Sequence, residues 1–214
     1  MKNTQESFSS VYNWPYVHCL RVWGRVLSTY CARSRRGQGL DSKHVYVPLI
    51  YPLVQLCLGT IRLIPTARYF PLRFHCLRVI ADLEEHTGII APVPAHLLEV
   101  IDTGALTVKT KPATLKRLDF SVVLRVPKAY LNTRVFQDGV VENMTELFLA
   151  HYAASSTHIA FPEMVIPTLV QVKKFVKQSK NVKANKMFQH QLLDIVIMKC
   201  SIEQHIFKLL FILK

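Results

Sequence analysis

Apolar positions recur at helical spacing over much of the chain. Behind Phe70-Pro71, the residues Phe70, Phe74, Leu77 and Ala81 fall on one stripe, with Arg73 and Ile80 at its edge and Asp82 off it. That spacing predicts an amphipathic helix, and Gly88 supplies its stop. Farther on, Phe136, Val140, Met144, Leu147, Phe148 and His151 share one face while Asp138, Glu142 and Glu146 line another. Such faces need neighbouring helices to cover them.

Four aromatic-proline dipeptides punctuate the pattern: Trp14-Pro15, Tyr51-Pro52, Phe70-Pro71 and Phe161-Pro162. Each reads as a helix start, because proline fits a first turn whose N–H groups lack partners anyway. The stretch from Trp14 to Tyr51 has the length of a two-helix HEAT-like unit, and Tyr51 to Phe70 that of one helix plus a loop. The expected fold is therefore all-α, a HEAT/armadillo-like helical solenoid in a single domain over 1–214. Polar loops are expected at 33–46, with Gly37 and Gly39, and at 103–117, with Pro112. A final helix is expected over 195–214. One stretch breaks the helical pattern: Leu118, Phe120, Val122, Leu124 and Val126 alternate with Asp119, Ser121, Val123 and Arg125. A period of two predicts an extended segment near 118–126, which either pairs with another strand or lies across the helices.

Composition narrows the class. Of 214 residues, 50% are hydrophobic and only 7 are glycine, which favours a folded core over a disordered chain or a glycine-rich phosphate loop. Val45 to Ile61 is uncharged but interrupted by Pro48, Pro52 and Gln55, and Leu192 to Leu213 is broken by Asp194, Lys199, Glu203 and Lys208. Neither reads as a membrane span. The first ten residues are mostly polar, so no secretory leader is expected. Cys19, Cys31, Cys57, Cys76 and Cys200 are odd in number and widely spaced, and are expected as buried thiols in a reducing compartment.

Catalytic signatures are missing: the sequence has no phosphate-loop, dinucleotide, nucleophile-elbow or paired-histidine zinc motif. No enzyme, cofactor or metal is expected. Lys and Arg outnumber Asp and Glu by 27 to 14, and the excess points to polyanionic partners. Three basic sets are candidates for RNA or an acidic partner. Lys173, Lys174, Lys177 and Lys180 lie in an acid-free run between Glu163 and Asp194. Lys109, Lys111, Lys116 and Arg117 lie in or beside a predicted loop. Arg62, Arg68, Arg73 and Arg78 flank or lie on the Pro71 helix, where guanidinium groups suit bidentate contacts. Solvated surface or internal pairing is the alternative for each set, the helix lysines with Asp138, Glu142 and Glu146 for instance.

Specific strings go further than composition. Ser10-Val11-Tyr12-Asn13-Trp14, Val17-His18-Cys19-Leu20, Leu49-Ile50-Tyr51-Pro52-Leu53 and Ile61 through Arg73 occur in order, with Ile64-Pro65-Thr66-Ala67-Arg68-Tyr69-Phe70-Pro71 the most distinctive. Ile159-Ala160-Phe161-Pro162-Glu163 and Val170-Gln171-Val172-Lys173-Lys174-Phe175 continue the series. Together they resemble the nucleolar complex protein 2 family over residues 8–193. The resemblance implies a helical scaffold without catalysis, acting in assembly and intranuclear transport of pre-60S particles in the nucleolus and nucleoplasm. It implies sister nucleolar complex proteins and pre-rRNA as partners. Family members are longer, so a truncated member or fragment is expected, with 195–214 divergent. A chromatin regulator that binds histones is the competing role.

Overall fold

The computed structural model of the protein describes residues 8, 10–32, 45–110, 115–179 and 185–190. Lys111, Lys180, Cys200, most of the 33–46 loop and the helix expected over 195–214 lie outside the described residues. Six helices are named here: α1 (Trp14–Tyr30), α2 (Ile50–Leu63), α3 (Phe70–Thr87), α4 (Val93–Asp102), α5 (Arg134–Ser155) and α6 (Phe161–Gln178). A further helical turn covers 185–190, where Phe188 meets Phe175 edge-on at 5.5 Å.

All four aromatic-proline pairs sit in the first turn of a helix: those of α1, α3 and α6 open the element, and Tyr51-Pro52 follows Ile50 in α2. Side chains cap two helices, Asn13 Oδ1 accepting from Tyr16 N at 2.8 Å and Thr133 Oγ1 accepting from Phe136 N at 3.3 Å. Gly88 ends α3 in the left-handed conformation at φ 71°, its N–H bonded to Glu84 O.

Packing is layered, helix on helix, and the architecture is the all-α helical solenoid expected. Helix α3 is central, touching α1, α2, α4 and α5; α5 in turn touches α4 and α6. Because α3 is covered on several sides, burial extends well beyond the predicted stripe to Arg73, His75, Cys76 and Glu84. Gly24 lets α1 approach closely, since a Cβ there would lie 2.7 Å from Val79 Cγ1. Helix α5 buries the face its spacing predicts. Across the α3–α5 seam, His151 Nδ1 and Glu84 Oε2 are 2.8 Å apart and both side chains are buried. The other oxygen, Glu84 Oε1, accepts from Ala91 N at 2.6 Å, so that no polar atom of this carboxylate is wasted inside the core.

The segment expected near 118–126 is not helical, and it lies across the helices. Phe120 inserts between Phe74 of α3 and Phe136 of α5, at 6.0 and 6.2 Å between ring centroids. Val126 N donates to Arg68 O at 2.8 Å, and Arg68 Nε donates to Val126 O at 3.2 Å. Alternation breaks at Val122, which is 64% exposed. With no strand beside it among the described residues to demand regular pleating, the segment instead turns at Phe120 and Ser121. Among the thiols, Cys31, Cys57 and Cys76 are buried as expected while Cys19 is exposed. No helix among the described residues is long and apolar enough to cross a membrane.

Candidate functional site

Arg78, near the middle of α3, stands at the junction of two clefts. On the α5 side, its Nη2 donates to Asn143 Oδ1 at 2.5 Å and to Glu146 Oε2 at 2.9 Å, and Asn143 Nδ2 in turn donates to Gly139 O at 2.7 Å. Arg117, from the segment before Phe120, pairs with Glu142. These groups, with Leu118, Asp119 and Ser121, line a groove of about 500 Å³. Here the acidic stripe predicted on α5 finds its partners: Arg78 takes Glu146, Arg117 takes Glu142, and Arg134 approaches Asp138 at 3.9 Å. Both guanidinium groups of this groove are already paired with carboxylates.

On the α1 side the balance differs. A cleft of about 510 Å³ between α1 and α3 is lined by Arg21, Gly24, Arg25, Ser28, Thr29, Arg78, Val79, Asp82 and His86. Arg21 lies with its guanidinium 5.9 Å above the Trp14 ring, and its Nη2 is 2.7 Å from His75 Nδ1. Burial, reinforced by Arg21, pushes the His75 pKa down to about 4. The imidazole is therefore neutral near pH 7: Nδ1 accepts from Arg21, and Nε2 donates to Val123 O at 3.1 Å. A neutral partner fixes the guanidinium without cancelling its charge. Among the described residues Asp82 is the one carboxylate in the cleft wall, and burial followed by Glu85 raises its pKa.

The remaining basic candidates divide into structural and exposed groups. Arg73 is buried, with Nη1 donating to His96 O at 3.0 Å and lying 3.3 Å from Glu99 Oε2. It joins α3 to α4. Arg68 secures the 118–126 segment through the reciprocal bonds to Val126. Arg62 ends α2 in the open, Lys109 and Lys116 are exposed in the 103–117 loop, and Lys173, Lys174 and Lys177 are exposed on α6. Among the described residues the three sets do not converge on one surface site, and only Arg78 and Arg117 meet at a common groove. Arg21 and Arg25 carry the other cleft yet belong to none of the three sets. The signal for them is the four-residue spacing on a helix that also carries Trp14 and His18 along the same side.

An apolar surface accompanies these charges. On α1, Cys19, Val22, Trp23, Val26 and Tyr30 share the side opposite the buried Val17, Leu20, Gly24 and Leu27. Trp23 is 45% exposed and Val22 61%. On α2, Tyr51 at 71%, Leu56 and Leu63 also face outward. Among the described residues, no group of three or more His, Cys, Asp or Glu is placed to hold a metal ion.

Known proteins share this sequence over most of its length. A sequence profile described as the Noc2p family matches residues 1–205, running past Ile195 into the last segment. An uncharacterized NOC2 family protein of Schizosaccharomyces pombe is 43% identical over 183 residues, covering 86% of this chain and 26% of the relative. Nucleolar complex protein 2 of Drosophila melanogaster is 37% identical over 177 residues, 83% of this chain and 22% of its own. Nucleolar complex-associated protein 2 of Arabidopsis thaliana is 32% identical, again with 83% and 22% covered. The chain thus spans about a quarter of the length of these relatives.

Proposed function

The chain belongs to the Noc2p family, and from that premise we propose that it is a non-enzymatic scaffold in assembly and intranuclear transport of the large ribosomal subunit precursor. It acts in the nucleolus and nucleoplasm by binding sister nucleolar complex proteins and, through basic surface, pre-rRNA. The observation that carries the protein-binding half is the outward apolar side of α1 and α2, built around Val22, Trp23, Tyr51 and Leu56. Large exposed apolar residues grouped along helix faces mark surfaces that partners cover. The names of the Drosophila and Arabidopsis relatives, which refer to a nucleolar complex, support the setting. Lys109, Lys116, Lys173, Lys174 and Lys177 are exposed and supply cationic surface for the RNA half.

The histone-binding alternative draws no support from the charge layout. Histone tails are basic and call for open acidic surface, whereas Glu142 and Glu146 are already engaged by Arg117 and Arg78. Gradient sedimentation of nuclear extract containing the tagged chain decides between the roles. The chain is expected to travel with pre-60S particles; recovery only in free or chromatin fractions refutes the assembly role.

A further inference from the structure

Helix α1 carries an aromatic and cationic strip that the three basic sets leave out. Trp14, His18, Arg21, Arg25 and Ser28 recur at helical spacing along one side, and the last three of them enter the wall of the α1–α3 cleft. Trp14 and His18 stack with ring centroids 5.3 Å apart at an interplanar angle of 24°, His18 being exposed. Arg21 lies over the Trp14 ring at 5.9 Å from its centroid, and His75 packs against the same ring at 5.3 Å. Arg25 is exposed beside Arg21, and Arg78 faces it from α3. We propose that the α1–α3 cleft is a single-stranded RNA site, in which Arg21 and Arg25 hold backbone phosphates and the Trp14–His18 stack receives a base.

Three features favour this ligand. With Arg78 engaged by Glu146, Arg21 and Arg25 still outnumber Asp82, the one carboxylate in the wall among the described residues, so a polyanion gains from entering. The Arg21 guanidinium is held by a neutral imidazole, which spares its charge for a phosphate while restricting its motion. Adjacent rings distinguish the site from one built for an acidic peptide, because stacked aromatic groups beside arginines suit the alternating bases and phosphates of an unpaired strand. The inference rests on the RNA-contact part of the function proposed above and gives it a location.

Anisotropy of a fluorescent single-stranded oligouridylate, titrated with the full chain, tests it. Arg25→Glu alters an exposed side chain and is expected to leave the circular dichroism unchanged while weakening binding by roughly tenfold. The slope of log affinity against log salt should become shallower by about 0.7 for each phosphate that is no longer neutralised. Arg21→Gln, which can still donate to His75, should weaken binding in the same direction, and His18→Ala should weaken it with an unchanged salt slope. The triple change Lys173→Gln, Lys174→Gln and Lys177→Gln should have the smaller effect. No RNA binding by the unaltered chain overturns the proposal, as does full affinity in Arg25→Glu. Loss confined to the α6 triple variant overturns it too, as does tighter binding of polyglutamate than of RNA. Sedimentation with pre-60S particles is scored separately, so retention there alongside failed RNA binding leaves the scaffold role standing and removes only this site.

Discussion

At the scale of single residues, the chain shows how a side chain can be recruited from surface chemistry into the fold. Arg73 belongs by sequence to a candidate binding set, yet its guanidinium is enclosed between His96 and Glu99; nothing in the local spacing says that α4 will cover it. His75 makes the converse point. Enclosed between Arg21 and Val123, it has a pKa lowered to about 4, mainly by burial. The unfolded chain, with an ordinary imidazole near 6.5, therefore takes up a proton before the folded one does. This contribution to stability is intact above about pH 6.5 and is lost progressively as pH falls toward 4, a difference of about 3 kcal/mol at most. Urea unfolding across that window should show the decline. In His75→Gln, whose amide can still accept from Arg21 and donate to Val123, the decline should be shallower by that amount. Equal pH slopes in the two proteins would show that the imidazole is protonated in the fold without penalty.

At the scale of elements, two glycines in helices should respond to alanine with opposite signs. Gly139 of α5 faces the inserted connector: an added Cβ would lie 2.5 Å from Phe120 Cε2, within a group of rings that also holds Phe70, Phe74 and Phe136. Gly139→Ala must displace a buried ring and should cost about 1–3 kcal/mol. Gly59 of α2 has nothing within 4 Å of that position, so Gly59→Ala should stabilise by about 0.5–1 kcal/mol through helix propensity alone. Urea midpoints of both variants measure the pair, and a Gly139→Ala midpoint at or above that of the parent would show that Phe120 is not wedged against α5. The contrast also marks what local pattern can convey. Helix starts at Trp14, Phe70 and Phe161, the stop at Gly88 and the two faces of α5 follow from rules acting within a few residues, and all were legible. The path of 118–126 was legible only as non-helical, because its bends answer to Arg68, Phe74 and Phe136, which are distant in sequence. Helix α4 lies in a stretch for which no element was predicted, and the nearly complete burial of α3 exceeds what one stripe conveys. For the same reason the sequence grouped Arg78 with its neighbours Arg68 and Arg73, while the fold pairs it with Glu146 and opens it toward Arg21 and Arg25.

At the scale of the whole molecule, α1 carries two different surfaces besides its buried face. One side presents His18, Arg21 and Arg25 beside α3; the other presents Val22, Trp23 and Tyr30 outward. Their interactions differ in kind. Contacts to phosphates release counterions and weaken steeply with salt, whereas burial of apolar area is non-directional and survives, or strengthens, in kosmotropic salt. A scaffold that holds protein through one side and RNA through the other should therefore be separable by substitution. Val22→Ser combined with Trp23→Ser replaces exposed groups without adding charge beside Arg25, so the fold should persist, and the chain should leave the protein complex while binding oligouridylate as before. Arg25→Glu should do the reverse, retaining the protein complex through a wash at raised ionic strength while losing RNA. Affinity capture of the tagged chain from nuclear extract, with bound protein and RNA quantified from the same eluate, measures both effects together. If either variant removes protein and RNA in equal proportion, the two surfaces act as one, and protein recruitment depends on RNA instead of on the apolar side of α1.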